Sequence, residues 1–183
     1  MVSLTAFLPN IPNFGLSVPA LYERQRALVR LGHLPAPKGR GRGSGVDATP
    51  RSVAMLIIAI MATDNLSDTD ARVKRLANAK VDAAIYRHGC GVTGATTFVE
   101  ALAALLGSED LCRLVESAIV SRSNLSARIF YRKPPKRNYS EATVFGPDYP
   151  REFDVTSHVS GDMLRFVCRA LKEQSAAAKG GSS

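Results

Sequence analysis

The run Val53 to Ala62, VAMLIIAIMA, has no polar side chain, and it constrains the chain more than any other stretch. A helix built from it is apolar all round, so it has no face to give to water and must be covered on every side. The run is about half the length that a membrane span requires, which assigns it to a protein core. Thr49 supplies an N-cap and Pro50 falls at the first helical position, where its missing N–H costs nothing. The sequence therefore predicts a central helix opening at Thr49-Pro50, with the N-terminal part and the later segments both packed on it. Two independent domains on a loose linker are not expected.

Upstream lies Ser17 to Gly45, SVPALYERQRALVRLGHLPAPKGRGRGSG. Ser17 is an N-cap and Pro19 falls in the first turn, so a helix is predicted from about Val18 to Leu31. Leu21, Leu28 and Leu31 share one face by their helical spacing, while Glu23, Arg26 and Arg30 lie on another. Gly32 can take the left-handed conformation that ends a helix, and Pro35 and Pro37 stop it from restarting. Lys38-Gly39-Arg40-Gly41-Arg42-Gly43-Ser44-Gly45 then sets three cations on a backbone free enough to follow a phosphate ribbon or place an Arg in a minor groove. Such a loop can equally be a solvated linker. The adjoining helix with exposed arginines shifts the reading toward nucleic acid, because a helix followed by a basic loop is how winged DNA-binding modules are built. The charge balance agrees: 24 Lys and Arg against 16 Asp and Glu give a net charge of +8, with an isoelectric point near 9.8.

Val18 to Pro35, with its Leu31-Gly32-His33-Leu34-Pro35 exit, the basic loop, and a helix opening at Thr49-Pro50, resembles the N-terminal domain of MerR-like winged helix regulators. The likeness covers about Val2 to Asp64. It implies a helix pair that reads the major groove, a wing on the backbone and a following helix that braces the wing. The expected DNA contacts are Tyr22, Arg24, Arg26, Arg30 and His33 on the helix and its exit, and Lys38, Arg40 and Arg42 on the loop.

Val2 to Leu8 reads as a short helix before the Pro9–Phe14 turn, the first element of the helix-turn-helix. After the central helix, Asp68 to Ala79 is a polar helix with Val73 and Leu76 facing in and Arg72, Lys74 and Arg75 facing out. Thr96 to Leu106 is an amphipathic-to-apolar helix, and Ser108-Glu109-Asp110 opens a short one, with two acids where the helix dipole favours them. From Ser117 the pattern turns to β: Ser117–Ser121 and Ala127–Lys133 read as a hairpin, and Tyr139–Phe145 as a third strand. Ser160 caps a last helix through Lys172, with a core stripe of Met163, Phe166, Val167, Ala170 and Leu171.

Little points to catalysis. His88-Gly89-Cys90-Gly91-Val92-Thr93-Gly94 contains G-x-G-x-x-G, but a dinucleotide site wants an apolar strand before the loop, a second strand after the helix and an acid at its end. Ala83 to Tyr86 is too short, and Glu109 and Asp110 open a helix. The plainer reading is a glycine-rich interhelical loop. His33, His88 and His158 are scattered, without metal-pair spacing. Cys90, Cys112 and Cys168 are far apart and form no C-x-x-C, which favours reduced thiols. With no basic region before its first apolar residues and with Pro9 and Pro12 interrupting it, the N-terminus does not read as a signal peptide. A cytoplasmic location is expected.

The sequence thus predicts a mainly α protein with a small antiparallel sheet, an α+β fold whose winged helix-turn-helix packs on a central apolar helix. Residues 1–65 form the DNA-binding module, 66–173 a helical and hairpin part for oligomerisation or sensing, and 174–183 a disordered tail. The expected function is sequence-specific binding of double-stranded DNA by a transcriptional regulator, as a possible homodimer, without membrane, metal, cofactor or enzymatic activity. Two alternatives stay open: an accessory protein of a phage-type packaging or other nucleic-acid assembly, and an RNA-binding protein. The latter would stack bases on Phe130, Tyr131 and Tyr139 among Arg128, Arg132, Lys133, Lys136 and Arg137.

Overall fold

A computed structural model describes residues 2–11, 14–36, 45–65, 69–132, 141–147, 149 and 152–180. The chain runs through α1 (Leu4–Phe7), a 3-10 turn (Leu8–Asn10), α2 (Val18–Arg30), α3 (Pro50–Ala62), α4 (Thr69–Ala77), α5 (Phe98–Gly107) and α6 (Glu109–Leu114). It continues through β1 (Val115–Ser121), β2 (Ser126–Tyr131), β3 (Ala142–Phe145), β4 (Thr156–Ser160) and α7 (Gly161–Gly180). The fold is α+β, mainly helical with one four-stranded antiparallel sheet in the order β3-β2-β1-β4.

Everything is arranged around α3. The Thr49 hydroxyl accepts from the Ser52 amide while the Ser52 hydroxyl accepts from the Thr49 amide, a reciprocal cap that starts the helix. Val53 to Ala59, Met61 and Ala62 are all buried, and α2, α4, α5, β1 and β4 all touch the helix. One apolar cluster runs from Leu4 to Leu171, so the N-terminal and C-terminal parts share a core. Among the described residues no helix is long and apolar enough to cross a membrane.

The inner face of the sheet carries Ala118, Val120, Ala127, Ile129, Phe145 and Val159, whose burial follows from the period-2 alternation of a strand with one covered face. β4 is an addition to the sequence reading. Its residues TSHVS bury only Val159, so no apolar alternation announces it. The strand passes directly into α7, whose first turn is capped by Ser160 through the Met163 N–H at 3.2 Å. Here Gly161 lies against β1 so closely that a Cβ would run into the carbonyl oxygen of Val115. Gly161→Ala is expected to cost roughly 1–3 kcal/mol by overpacking. Gly107→Ala, whose Cβ would meet nothing nearer than Pro50 Cγ at 3.9 Å, should be close to neutral. Paired chemical denaturation curves check the contrast.

Two expectations for α7 are corrected. The buried stripe is Leu164, Val167, Cys168 and Leu171, at i, i+3, i+4 and i+7, which turns Phe166 outward at 46% exposure. The helix also continues to Gly180, through residues expected to be disordered. Ala176 and Ala177 have the highest helix propensity, and Ser175 donates back to the Leu171 carbonyl at 2.8 Å.

Candidate nucleic-acid interface

Ser17 caps α2 by accepting from the Ala20 amide, and Gly32 ends it at φ +74°, with the His33 and Leu34 amides both returned to the Leu28 carbonyl. The helix buries Leu21, Arg24, Gln25, Ala27 and Leu28 and leaves Tyr22, Glu23, Arg26 and Arg30 exposed. Arg26 pairs with Glu23 at 3.1 Å and sits 5.9 Å from the Tyr22 ring centroid, with 63% of its side chain exposed. A surface pair of this kind stabilises the fold by no more than about 1 kcal/mol, so Arg26 is readily given up to another anion. Arg30 has no ion-pair partner among the described residues.

This outer face borders a groove of about 540 Å³, closed on its far side by Thr5, Gly45 and Val46. Gln25 donates to Thr5 at 2.9 Å, which ties α2 to α1. The Leu4 amide donates to the Val46 carbonyl at 2.6 Å and the Ala48 amide to the Val2 carbonyl at 2.9 Å. Those bonds hold Gly45 at the rim of the groove. Lys38, Arg40 and Arg42 lie outside the described residues, in the segment that ends at Gly45.

Two of the expected contacts point elsewhere. Arg24 is 6% exposed. It stands three residues after Leu21 and four before Leu28, so the helical period carries it to the packed side, where its Nη2 donates to the Asp64 carbonyl at 3.3 Å. His33 is turned to α4, with Nε2 at 2.9 Å from Asp70 and a side chain only 12% exposed. The first element of the supposed helix-turn-helix is one four-residue helix and a 3-10 turn. On α4, Val73 and Leu76 are buried and Lys74 and Arg75 exposed, while Arg72 donates to the Arg122 carbonyl at 3.0 Å.

The glycine loop at 89–94 is bound to the sheet. Ala83 to Ile85 is a turn, and the Gly91 amide is shared by Tyr131 Oη and Thr143 Oγ1, both at 3.2 Å. An amide spent on two hydroxyls has nothing to offer a pyrophosphate. Tyr131 is itself buried, its hydroxyl on Thr143 and 3.7 Å from the Cys90 sulfur, and burial pushes its pKa up. It is therefore no platform for a base, and Tyr139, Lys133, Lys136 and Arg137 lie outside the described residues. Cys90, Cys112 and Cys168 are free and buried, and burial pushes the Cys112 thiol up to about 12, which leaves it protonated and unreactive. Among the described residues no three His, Cys, Asp or Glu side chains converge as metal ligands would.

Thr5, Gln25 and Val46 belong to the groove and escape a reading of the sequence, because their role depends on the pairing of residues 2–4 with 46–48. No protein-family model, curated protein or solved structure matches this chain.

Proposed function

We propose that the chain binds double-stranded DNA in a sequence-specific manner, as a transcriptional regulator, through the outer face of α2 and the basic segment that ends at Gly45. The observation that carries this reading is the groove in which Tyr22, Arg26 and Arg30 face Gly45 and Val46. It sets the exposed arginines of the helix beside Gly45, which follows a stretch containing Lys38, Arg40 and Arg42 in the sequence. The net charge of +8 favours the same partner. Binding exchanges the Arg26–Glu23 pair for a phosphate or a base edge, and the Tyr22 ring then packs beside the contacting guanidinium.

Selection of bound sequences from a random duplex library tests the proposal. A sharp motif is expected, and a palindromic one would add a two-fold dimer. An unstructured pool, or tighter binding of single-stranded RNA of equal length, would overturn it. Arg26→Ala and Arg30→Ala divide the roles further. An Arg that reaches guanine contributes about 1–3 kcal/mol of discrimination, so its loss relaxes preference at one position, whereas removal of a phosphate partner weakens all sequences alike. If both substitutions are silent in affinity and preference, α2 is not the reading helix.

A further inference from the structure

On the opposite side of α2 lies a second cavity, of about 690 Å³, between α2, the end of α3 and the β4–α7 junction. Its apolar wall includes Phe14, Leu16, Ile60, Met61 and Met163. Its polar lining is made by Arg24, Arg122 and Asp64, with Ser157, His158 and Ser160 beside them. Arg122 is held at all three of its nitrogens: Nε donates to the Met61 carbonyl at 2.9 Å, and Nη1 and Nη2 hold the two Asp64 oxygens at 2.5 and 3.0 Å. Arg24 is not. Among the described residues its one hydrogen bond is that to the Asp64 carbonyl, at 3.3 Å, and its buried Nε–H meets no acceptor.

A guanidinium held in the packed side with its buried Nε–H unpaired is costly, and an anion that accepts from it removes the cost. Asp64 does not serve, because its carboxylate is turned to Arg122 and its side chain is 84% exposed, where water screens it. Burial lowers the pKa of Arg24, Asp64 opposes that, and Arg122 adds to it by repulsion. The first turn of α7 borders the same cavity through Ser160 and Met163 and adds the positive end of a helix dipole.

We propose that this cavity binds a small organic monocarboxylate, with the carboxylate on Arg24 and an apolar body along Met61 and Met163. One uncompensated positive charge calls for a single negative one, and the apolar walls call for a hydrocarbon body rather than a bare inorganic ion. The assignment does not depend on nucleic-acid binding.

The test titrates the full chain, without nucleic acid, with octanoate, benzoate, 1-octanol and inorganic phosphate, followed by calorimetry and thermal melting. Octanoate or benzoate should bind saturably at one site and raise Tm, while octanol and phosphate should do neither. Arg24→Met keeps the length of the side chain and removes the charge. It should weaken carboxylate binding at least tenfold and leave the unliganded Tm unchanged or higher, since an apolar replacement of an unpaired buried charge is neutral or stabilising. Met163→Trp, which fills the cavity with Arg24 intact, should abolish binding and supplies the answer if Arg24→Met does not fold. Absence of saturable binding by either carboxylate, phosphate binding as tight as octanoate binding, or variants that bind octanoate as the parent does would each overturn the proposal.

Discussion

Leu56→Ala is expected to destabilise the protein by roughly 3–5 kcal/mol, the upper part of the range for a buried leucine replaced where the surroundings cannot collapse. Leu56 is 0% exposed in the middle of α3, and helices and strands close on that helix from several sides. No single neighbour can move into the space without giving up its own packing. Arg51, exposed on the first turn of the same helix, provides the control, and Arg51→Ala should stay within about 0.5 kcal/mol of the parent. Urea unfolding followed by far-ultraviolet circular dichroism measures both. A loss under about 1 kcal/mol for Leu56→Ala would show that α3 is covered more loosely than its burial indicates.

The second large effect concerns binding. Replacing Lys38, Arg40 and Arg42 together by alanine should leave thermal stability nearly unchanged and lower DNA affinity. It should also flatten the plot of log affinity against log salt by about 2.7, at about 0.9 for each phosphate that is no longer neutralised. The three cations are separated by glycines and carry no apolar neighbour that would anchor a core. Fluorescence anisotropy on one labelled duplex between low and moderate salt gives the slope directly. A triple variant with the parent slope removes the segment from the interface, whatever its effect on absolute affinity.

Much of this fold is legible in the chain because local chemistry and tertiary burial agree. Ser17, Thr49, Thr97 and Ser108 each cap the helix that follows them, and the all-apolar run of α3 sits where a run without a polar face must sit. The β1–β2 hairpin is legible for the same reason, with its alternation matching the face that is covered. β4 is not, since a polar edge strand takes its conformation from the neighbour it pairs with rather than from its own side chains. Arg24 shows a different limit. Its place on the packed stripe can be read from its spacing to Leu21 and Leu28, but its charge argues for the surface, and only the cavity between α2, α3 and β4 reconciles the two. The basic segment is conspicuous in composition, yet composition carries no geometry, and the groove beside it exists because residues 2–4 pair with 46–48 across more than forty positions of chain.

The burial of α3 from Ser52 to Ala59 also governs how the molecule opens. Its amides are reached by solvent only when the elements around it separate, so they should exchange with deuterium at the rate of global unfolding. The far end of α7 is the opposite case: beyond Leu171 its Glu173, Ser175, Ala176 and Ala177 are exposed, and its amides can exchange by fraying alone. A mass-resolved exchange experiment should therefore find one slow cooperative block centred on residues 53–62 and a fast C-terminal end within a single helix-rich chain. A protease that attacks open segments should trim that end long before it cuts within residues 53–62, whose side chains are buried almost throughout.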